Sequence, residues 1–214
     1  MLSYVNEFEL EGYGTSIHCS CISFAPVIRS GDTYPLLYTN KNLGDNVCAC
    51  IVEKVTLSSA ELIQTISFNE SFGFTNMFTV WIGDDGYLYA EYHNPGESLA
   101  SFYKFNAPST TNETITIGET DVVDSWTEED ADYITNVFQT CMTKNGKIYA
   151  LIGDSNNRKY INVYDIQTHN RVSNVPLDDV LSHEPEGIAA YKNGLLITVN
   201  DSTVTYSGIY WMHF

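Results

Sequence analysis

Basic residues are scarce in this sequence. Ten Lys and Arg stand against 27 Asp and Glu, so the 214-residue chain carries a formal net charge of −17. Binding to the phosphates of nucleic acid requires charge of the opposite sign. The acidic residues are spread along the chain, with one denser run at 119–133. We therefore expect a solvated acidic surface and no nucleic-acid partner.

Long apolar runs and a leader sequence are also missing. No segment approaches the roughly 20 apolar residues that cross a bilayer as a helix. The start, "MLSYVNEFELEGYG", has neither the basic region nor the apolar stretch of a signal peptide. The sequence alone thus predicts synthesis in the cytosol without membrane insertion. An extracellular location is the alternative if the chain is a trimmed form of a longer product.

Familiar catalytic motifs are absent. The sequence has no G-x-S-x-G nucleophile elbow, no Gly-rich phosphate loop and no His-Glu zinc helix. Its five cysteines form two C-x-C pairs and one single residue, whereas zinc knuckles normally use C-x-x-C spacing. We interpret them as reduced thiols in the core.

An internal repeat organises the chain. Residues 76–90, 136–150 and 184–198 align without gaps, and each has a short apolar run, a polar turn ending in glycine, and a second apolar run. The shared glycines are Gly86, Gly146 and Gly194. Asp-Gly and Asn-Gly turns between runs of period two are typical of β-hairpins. Each aligned segment therefore predicts one hairpin.

Further strands follow each hairpin. We predict third strands at 100–106, 160–166 and 207–214, and fourth strands at 113–117 and 171–177. A looser first copy comprises 16–24, 34–40, 47–55 and 60–68. Four-stranded antiparallel units that recur every ~40 to 60 residues are typical of a β-propeller.

The repeat count defines one all-β domain over 1–214. We predict a β-propeller of four blades, each a four-stranded antiparallel sheet. The stretch 119–135 is either a long connection or the remnant of a fifth blade, so five blades is the alternative. The last copy lacks its fourth strand, and residues 4–10 would supply it, closing the ring and removing free sheet edges.

The blade pattern carries a resemblance. "YPLLYTN", "YINVYDIQT" and above all "EPEGIAAYKNGLLITV" resemble poorly characterised β-propeller proteins of gut Bacteroidetes. Those relatives are generally secreted or lipid-anchored, and this sequence shows neither signal. The resemblance therefore points to a bacteriophage of such bacteria, whose virion proteins are made in the host cytosol.

In a propeller the first strand of each blade lines the central channel. Polar side chains expected to meet there are His18, Asn76, Asn136, Gln139, Glu184 and Glu186. This set is similar to the channel of senescence-marker and gluconolactonase propellers, which hold a divalent cation. That resemblance implies Ca²⁺ or Mg²⁺ on Glu184 or Glu186 with Asn76 and Asn136. The aspartate of that family has no counterpart here.

Two functions follow from these features. The favoured one is a non-enzymatic binding or structural module, contacting other protein subunits or a host surface glycan through loops 25–33 and 119–135. The alternative is a metal-dependent hydrolase of lactonase or esterase type. For Glu184 and Glu186 themselves, the alternative to chemistry is architecture, because Pro185 between them suits the first residues of a strand. Monomer and multi-copy assembly are both open.

Overall fold

The computed structural model describes residues 10, 21–42, 48–74, 78–94, 96–154, 156–200 and 208–213. In this part of the chain the structure has sixteen β-strands, three short 3-10 helices and no α-helix. The strands form four sheets arranged as a four-bladed β-propeller, which confirms the predicted fold over the five-bladed alternative. Among the helices of the described ranges, none has the length and apolar character to span a membrane.

The first sheet has five strands, in the order β1-β2-β3-β4-β8. They are β1 (Ile22–Phe24), β2 (Leu37–Asn42), β3 (Cys48–Val55), β4 (Ala60–Phe68) and β8 (Thr114–Ile117). The second sheet has the order β5-β6-β7-β9. Its strands are β5 (Phe78–Ile82), β6 (Tyr87–His93), β7 (Leu99–Asn106) and β9 (Val122–Glu129).

The third and fourth sheets follow the chain order. The third contains β10 (Phe138–Lys144), β11 (Lys147–Ile152), β12 (Tyr160–Asp165) and β13 (Arg171–Pro176). The fourth contains β14 (Glu184–Tyr191), β15 (Gly194–Asn200) and β16 (Gly208–His213). The closing strand predicted at 4–10 lies outside the described residues, apart from Leu10.

The outer strand of the second sheet differs from the prediction. Residues 113–117 were expected there, but β8 pairs in parallel with β4 of the first sheet, with Thr65 opposite Thr114. The acidic stretch 119–135, expected as a connection or blade remnant, instead supplies β9, which pairs with β7. Only Trp126 of β9 is buried. The opposite face of the strand is exposed to solvent, where its carboxylates remain hydrated.

The tight turn of the third sheet has the predicted chemistry. Asn145 and Gly146 link β10 to β11, with φ of 52° and 72°. Positive φ at both central residues is the requirement of a type I′ hairpin turn, which Asn-Gly meets at little cost. The sequence "KNG" thus fixes a two-residue hairpin here.

The same sequence, "KNG", forms a hairpin in the fourth sheet whose register is shifted by one residue relative to the third sheet. Lys144 pairs with Lys147 in the third sheet, whereas Tyr191 pairs with Gly194 in the fourth. The structural equivalent of Gly194 is therefore Lys147, one residue away from the gapless sequence alignment. A side chain at Gly194 would collide with the backbone of Met212 on β16, which explains why this position has none.

The hydrophobic core lies in three layers between successive sheets. The first and second sheets share Cys50, Val52, Phe78 and Phe105 with other apolar residues. The second and third enclose the aromatic layer, with Trp81, Tyr89, Phe102 and Trp126. Leu151, Ile161, Leu195 and Ile197 fill the layer between the third and fourth. Cys21, Cys48, Cys50 and Cys141 are free thiols buried in these layers, as predicted.

Candidate functional site

The predicted channel residues are only partly visible. His18 and Asn76 lie outside the described residues. Gln139 and Glu184 are brought together: Nε2 of Gln139 donates to Oε1 of Glu184 at 2.9 Å and to the carbonyl of Gly153 at 2.8 Å. This contact joins β10 of the third sheet to β14 of the fourth, so both residues serve the packing of the inner strands.

Glu186 points elsewhere. Its side chain is exposed, at a register irregularity between Pro185 and Gly187, and its Oε1 accepts from Nδ2 of Asn200 at 3.4 Å. β14 begins at Glu184, so "EPEG" is the entrance to a strand. Architecture thus accounts for the proline and for Gly187, where a Cβ would collide with Oγ1 of Thr198.

Asn136 closes a short 3-10 helix. Its Nδ2 donates to the carbonyl oxygen of Asp132 at 2.7 Å, and its backbone N–H donates to the same oxygen at 3.1 Å. The helix, Ala131–Ile134, directly precedes β10. Asn136 therefore has a structural partner that the sequence pattern did not reveal.

The cation site predicted by resemblance stays a prediction. In the described ranges no three or more His, Cys, Asp or Glu residues are grouped so that they could hold a metal ion. Asn76, one of the four implied ligands, lies outside those ranges. Of the other three, Glu184 is bound by Gln139 and Asn136 by Asp132.

A loop of the first blade presents Val27, the most exposed aliphatic side chain of the described residues. It spans 25–33, between β1 and β2, and was predicted as a contact element. Val27 is 71% exposed and Ile28 is 51% exposed, and the two are adjacent in sequence. Isolated exposed aliphatics are common on proteins, but a contiguous patch is typical of an interaction surface.

Ion pairs connect this loop to β3. Asp32 accepts from Nε of Arg29 at 2.8 Å and from Nζ of Lys54 at 2.9 Å. Arg29 also donates from Nη1 to Oγ1 of Thr110 at 3.2 Å. The hydrogen bonds from Lys54 and Arg29 lower the pKa of Asp32 below its ordinary value, so the anchor stays ionised at neutral pH. A turn from Arg29 to Asp32 contains Gly31 at φ 88°.

An apolar cleft lies beside this loop, between the first and fourth sheets. Its volume is about 330 Å³. The apolar residues that line it include Ile22, Phe24, Ile188, Leu196 and Ile209. Ile22 and Phe24 of β1 are also more than half exposed. Val27 and Ile28 follow β1 in sequence but are not among the residues that line the cleft.

A second, polar cleft lies between the second and third sheets, and several of its polar side chains have partners. Asp85 accepts from Tyr89 at 2.7 Å and from Nζ of Lys104 at 3.0 Å. Asp124 contacts Nε2 of His169 at 2.8 Å, and the imidazole stacks on Trp126 with ring centres 4.6 Å apart. The contacts of Asp85 stay within the second sheet, whereas those of His169 tie the second sheet to the third.

Comparison with known proteins adds little. No protein-family model and no curated protein matches the chain. Among solved structures, the tail fiber of Staphylococcus aureus phage P68 aligns at 13% identity with a TM-score of 0.40, covering 90% of this chain and 49% of that one. Kuenenia stuttgartiensis hydrazine synthase aligns at 12% identity with a TM-score of 0.37, covering 90% and 59%.

The chain spans only about half the length of these two proteins. Likeness at this level carries no inference about activity or partners. The resemblances to Bacteroidetes propellers and to gluconolactonase-type propellers stay predictions.

Proposed function

We propose that this protein is a non-enzymatic β-propeller that serves as a binding or structural module and contacts another protein through loop 25–33. The observation that carries the proposal is the pair Val27 and Ile28, exposed on a loop whose base is fixed by Asp32, Arg29 and Lys54. The association with a bacteriophage particle rests on the sequence resemblance alone.

The anchoring of the loop favours binding. Ordering a flexible loop on association costs about 0.5–1.5 kcal/mol for each immobilised side chain. Here Asp32 is paired with Arg29 at the other end of the turn and with Lys54 of β3. The loop therefore loses less conformational entropy on binding than one without these contacts.

The chemistry of the tip favours a protein over a glycan. Val27 and Ile28 offer no hydrogen-bonding group and no aromatic face, whereas sugar recognition uses both. The net charge of −17 favours a partner with a basic surface around an apolar pocket. A surface glycan is the competing partner class, and the experiment below separates the two.

Site-specific photo-cross-linking tests the proposal. Benzoylphenylalanine is placed at Val27, and in a control at Val172 of β13, a valine that is 51% exposed. Each variant is expressed with the native assembly, and particles purified from the same culture are irradiated and analysed by mass spectrometry. We expect one discrete adduct from Val27, joined to an identified structural polypeptide, and none from Val172.

The other outcomes are equally clear. Equal adducts from both positions, or none from Val27 while the protein is present in the particles, would contradict the loop contact. Binding of labelled protein to surface polysaccharide that a Val27→Asp variant retains would replace the protein partner with a glycan. Absence of the protein from the particles would contradict the phage assignment. The loop contact would then be decided by whether Val27 forms an adduct with another protein of the culture.

A further inference from the structure

Glu91 is a buried carboxyl group that has no hydrogen-bond partner in the described part of the chain. It lies in the middle of β6, opposite Thr79 of β5 and Phe102 of β7, and is fully buried. Neither Oε1 nor Oε2 has a hydrogen-bond partner among the described residues. Most buried polar side chains are hydrogen-bonded, so an exception with two orphan oxygens requires an explanation.

The surroundings of Glu91 belong to the contact between the second and third sheets. Tyr89 and His93 share its face of β6, because alternate residues of a strand point the same way. The ring of His93 packs against Phe138 of β10 with centres 5.5 Å apart, and its Nδ1 also has no partner in the described part. The face of β6 that carries Glu91 is thus pressed against the third sheet.

The titratable groups near Glu91 lie on β6, on β10 and just before β1. Tyr89 and His93 lie on its own strand, Cys141 on β10 interacts with it electrostatically, and the thiol of Cys21 donates to the carbonyl of Cys141 at 3.5 Å. The facing residues of β5 and β7 are Thr79 and Phe102, which bring no charge. No Lys or Arg of the described ranges forms an ion pair with Glu91.

These surroundings disfavour the ionised carboxylate. Burial raises the pKa of Glu91 well above its ordinary value, with no compensating interaction, and raises the pKa of the Cys141 thiol as well. A buried charge without a partner costs far more than a buried neutral acid. The closed interface is therefore compatible with the protonated form.

We propose that Glu91 is a protonation-controlled lock between the second and third sheets. The neutral carboxyl lets β6 and β10 close against each other, and loss of its proton loosens that contact. The proposal does not depend on the identity of the partner at loop 25–33. It makes the stability of the propeller depend on pH.

The sign of the effect follows from linkage. In the unfolded chain Glu91 loses its proton near its ordinary pKa, whereas in the folded protein it keeps the proton to higher pH. Between these two values the folded state binds more protons, so stability falls as pH rises. One such group raises the unfolding equilibrium constant up to about tenfold per pH unit within that window.

Two measurements test the lock. Carboxyl ¹³C NMR of glutamate-labelled protein, assigned with Glu91→Gln, is expected to show Glu91 protonated at pH 6, where exposed glutamates are ionised. Urea unfolding between pH 5 and 9 is then compared for the wild type and Glu91→Met, which keeps a similar side-chain volume. In the variant, the dependence of the unfolding free energy on pH is expected to be smaller by the contribution of about one proton.

Controls separate a lock from general alkaline weakening. Glu129→Gln, on an exposed site of the same sheet, should keep the wild-type slope. Hydrogen exchange in the wild type should rise with pH in β6 and β10 beyond the intrinsic change, and not in β3; Glu91→Met should abolish the difference. An ionised Glu91 at pH 6, or a wild-type slope in the Met variant, would overturn the proposal. If Glu91→Met does not fold, Glu91→Gln and the wild-type NMR titration decide it.

Discussion

A single hydrogen bond between the second and third sheets offers the sharpest test of the packing. Nε1 of Trp81 donates to Oγ1 of Thr143 at 2.7 Å, and both residues are buried. Trp81 is on β5 and Thr143 is on β10, so the bond joins the inner strands of neighbouring blades. The substitution Thr143→Val removes the acceptor while keeping nearly the same shape.

The expected cost follows from the orphaned donor. Leaving a buried N–H without a partner costs about 1–3 kcal/mol, whereas a hydrogen bond between satisfied groups contributes only about 1 kcal/mol net. The indole of Trp81 cannot turn toward water, because it is fully buried and stacked on Tyr89 with ring centres 5.5 Å apart. We therefore expect Thr143→Val to lower the free energy of unfolding by about 1–3 kcal/mol.

Urea unfolding followed by circular dichroism measures this value. Thr127→Val, at an exposed position of β9, is the matched control and should stay within about 0.5 kcal/mol of the wild type. A double-mutant cycle with Trp81→Phe isolates the pairwise term from the loss of ring volume. A coupling below about 0.5 kcal/mol, or a Thr143→Val variant as stable as the control, would show that the bond does not hold the blades together.

Two further predictions concern the fourth sheet. Gly194→Ala places a methyl group against the carbonyl oxygen of Met212, so it should cost about 1–3 kcal/mol of unfolding free energy, while Gly208→Ala, whose closest contact would be 3.4 Å, should be tolerated; equal losses would contradict the close approach of β15 and β16. Glu184→Ala removes the partner of Gln139, and because that amide keeps its bond to Gly153 we expect less than about 1 kcal/mol of destabilisation and the same metal content by mass spectrometry. A stoichiometric divalent ion lost in the variant would support the hydrolase alternative instead.

Much of the fold follows from local chemistry. Asn145 and Gly146 meet the positive φ that a two-residue hairpin requires, and their neighbours alternate with period two, so the hairpin is specified within ten residues. The four blades then follow from repetition of the same unit. Turn chemistry and strand periodicity predict a propeller of four blades, and the sheet pairing in the structure decides against five.

The outer strand of the second blade could not be predicted in the same way. Both β8 and β9 have strand-forming residues, and their assignment depends on which sheet edge each one reaches. β8 forms a parallel pair with β4, a long-range choice that no local pattern encodes. In β9 the ring of Trp126 stacks on Phe102 of β7, with ring centres 5.1 Å apart, and this contact supports the pairing of the two strands. Because most other residues of β9 are acidic or exposed, its sequence did not indicate that one position is buried.

The candidate site shows the same limit. The sequence suggested that polar residues at strand starts converge, and Gln139 and Glu184 do meet. It did not show that their partners would be structural, because carbonyl groups such as that of Gly153 compete for the same side chains. Hydrogen-bond partners from the backbone leave no trace in residue identity.

Glu91, in contrast, could have been found from the sequence once the fold was known. β6 is the second strand of an internal blade, and apolar layers cover it on both sides, with Leu88 and Ala90 toward the first sheet and Tyr89 toward the third. In the middle of such a strand both faces are buried. A carboxyl group there is therefore buried on whichever face it lies. The parity that places Tyr89 in the aromatic layer places Glu91 there too. An acidic residue near the middle of a blade's second strand is therefore a buried carboxyl group by topology, and its protonation state becomes part of the stability of the ring.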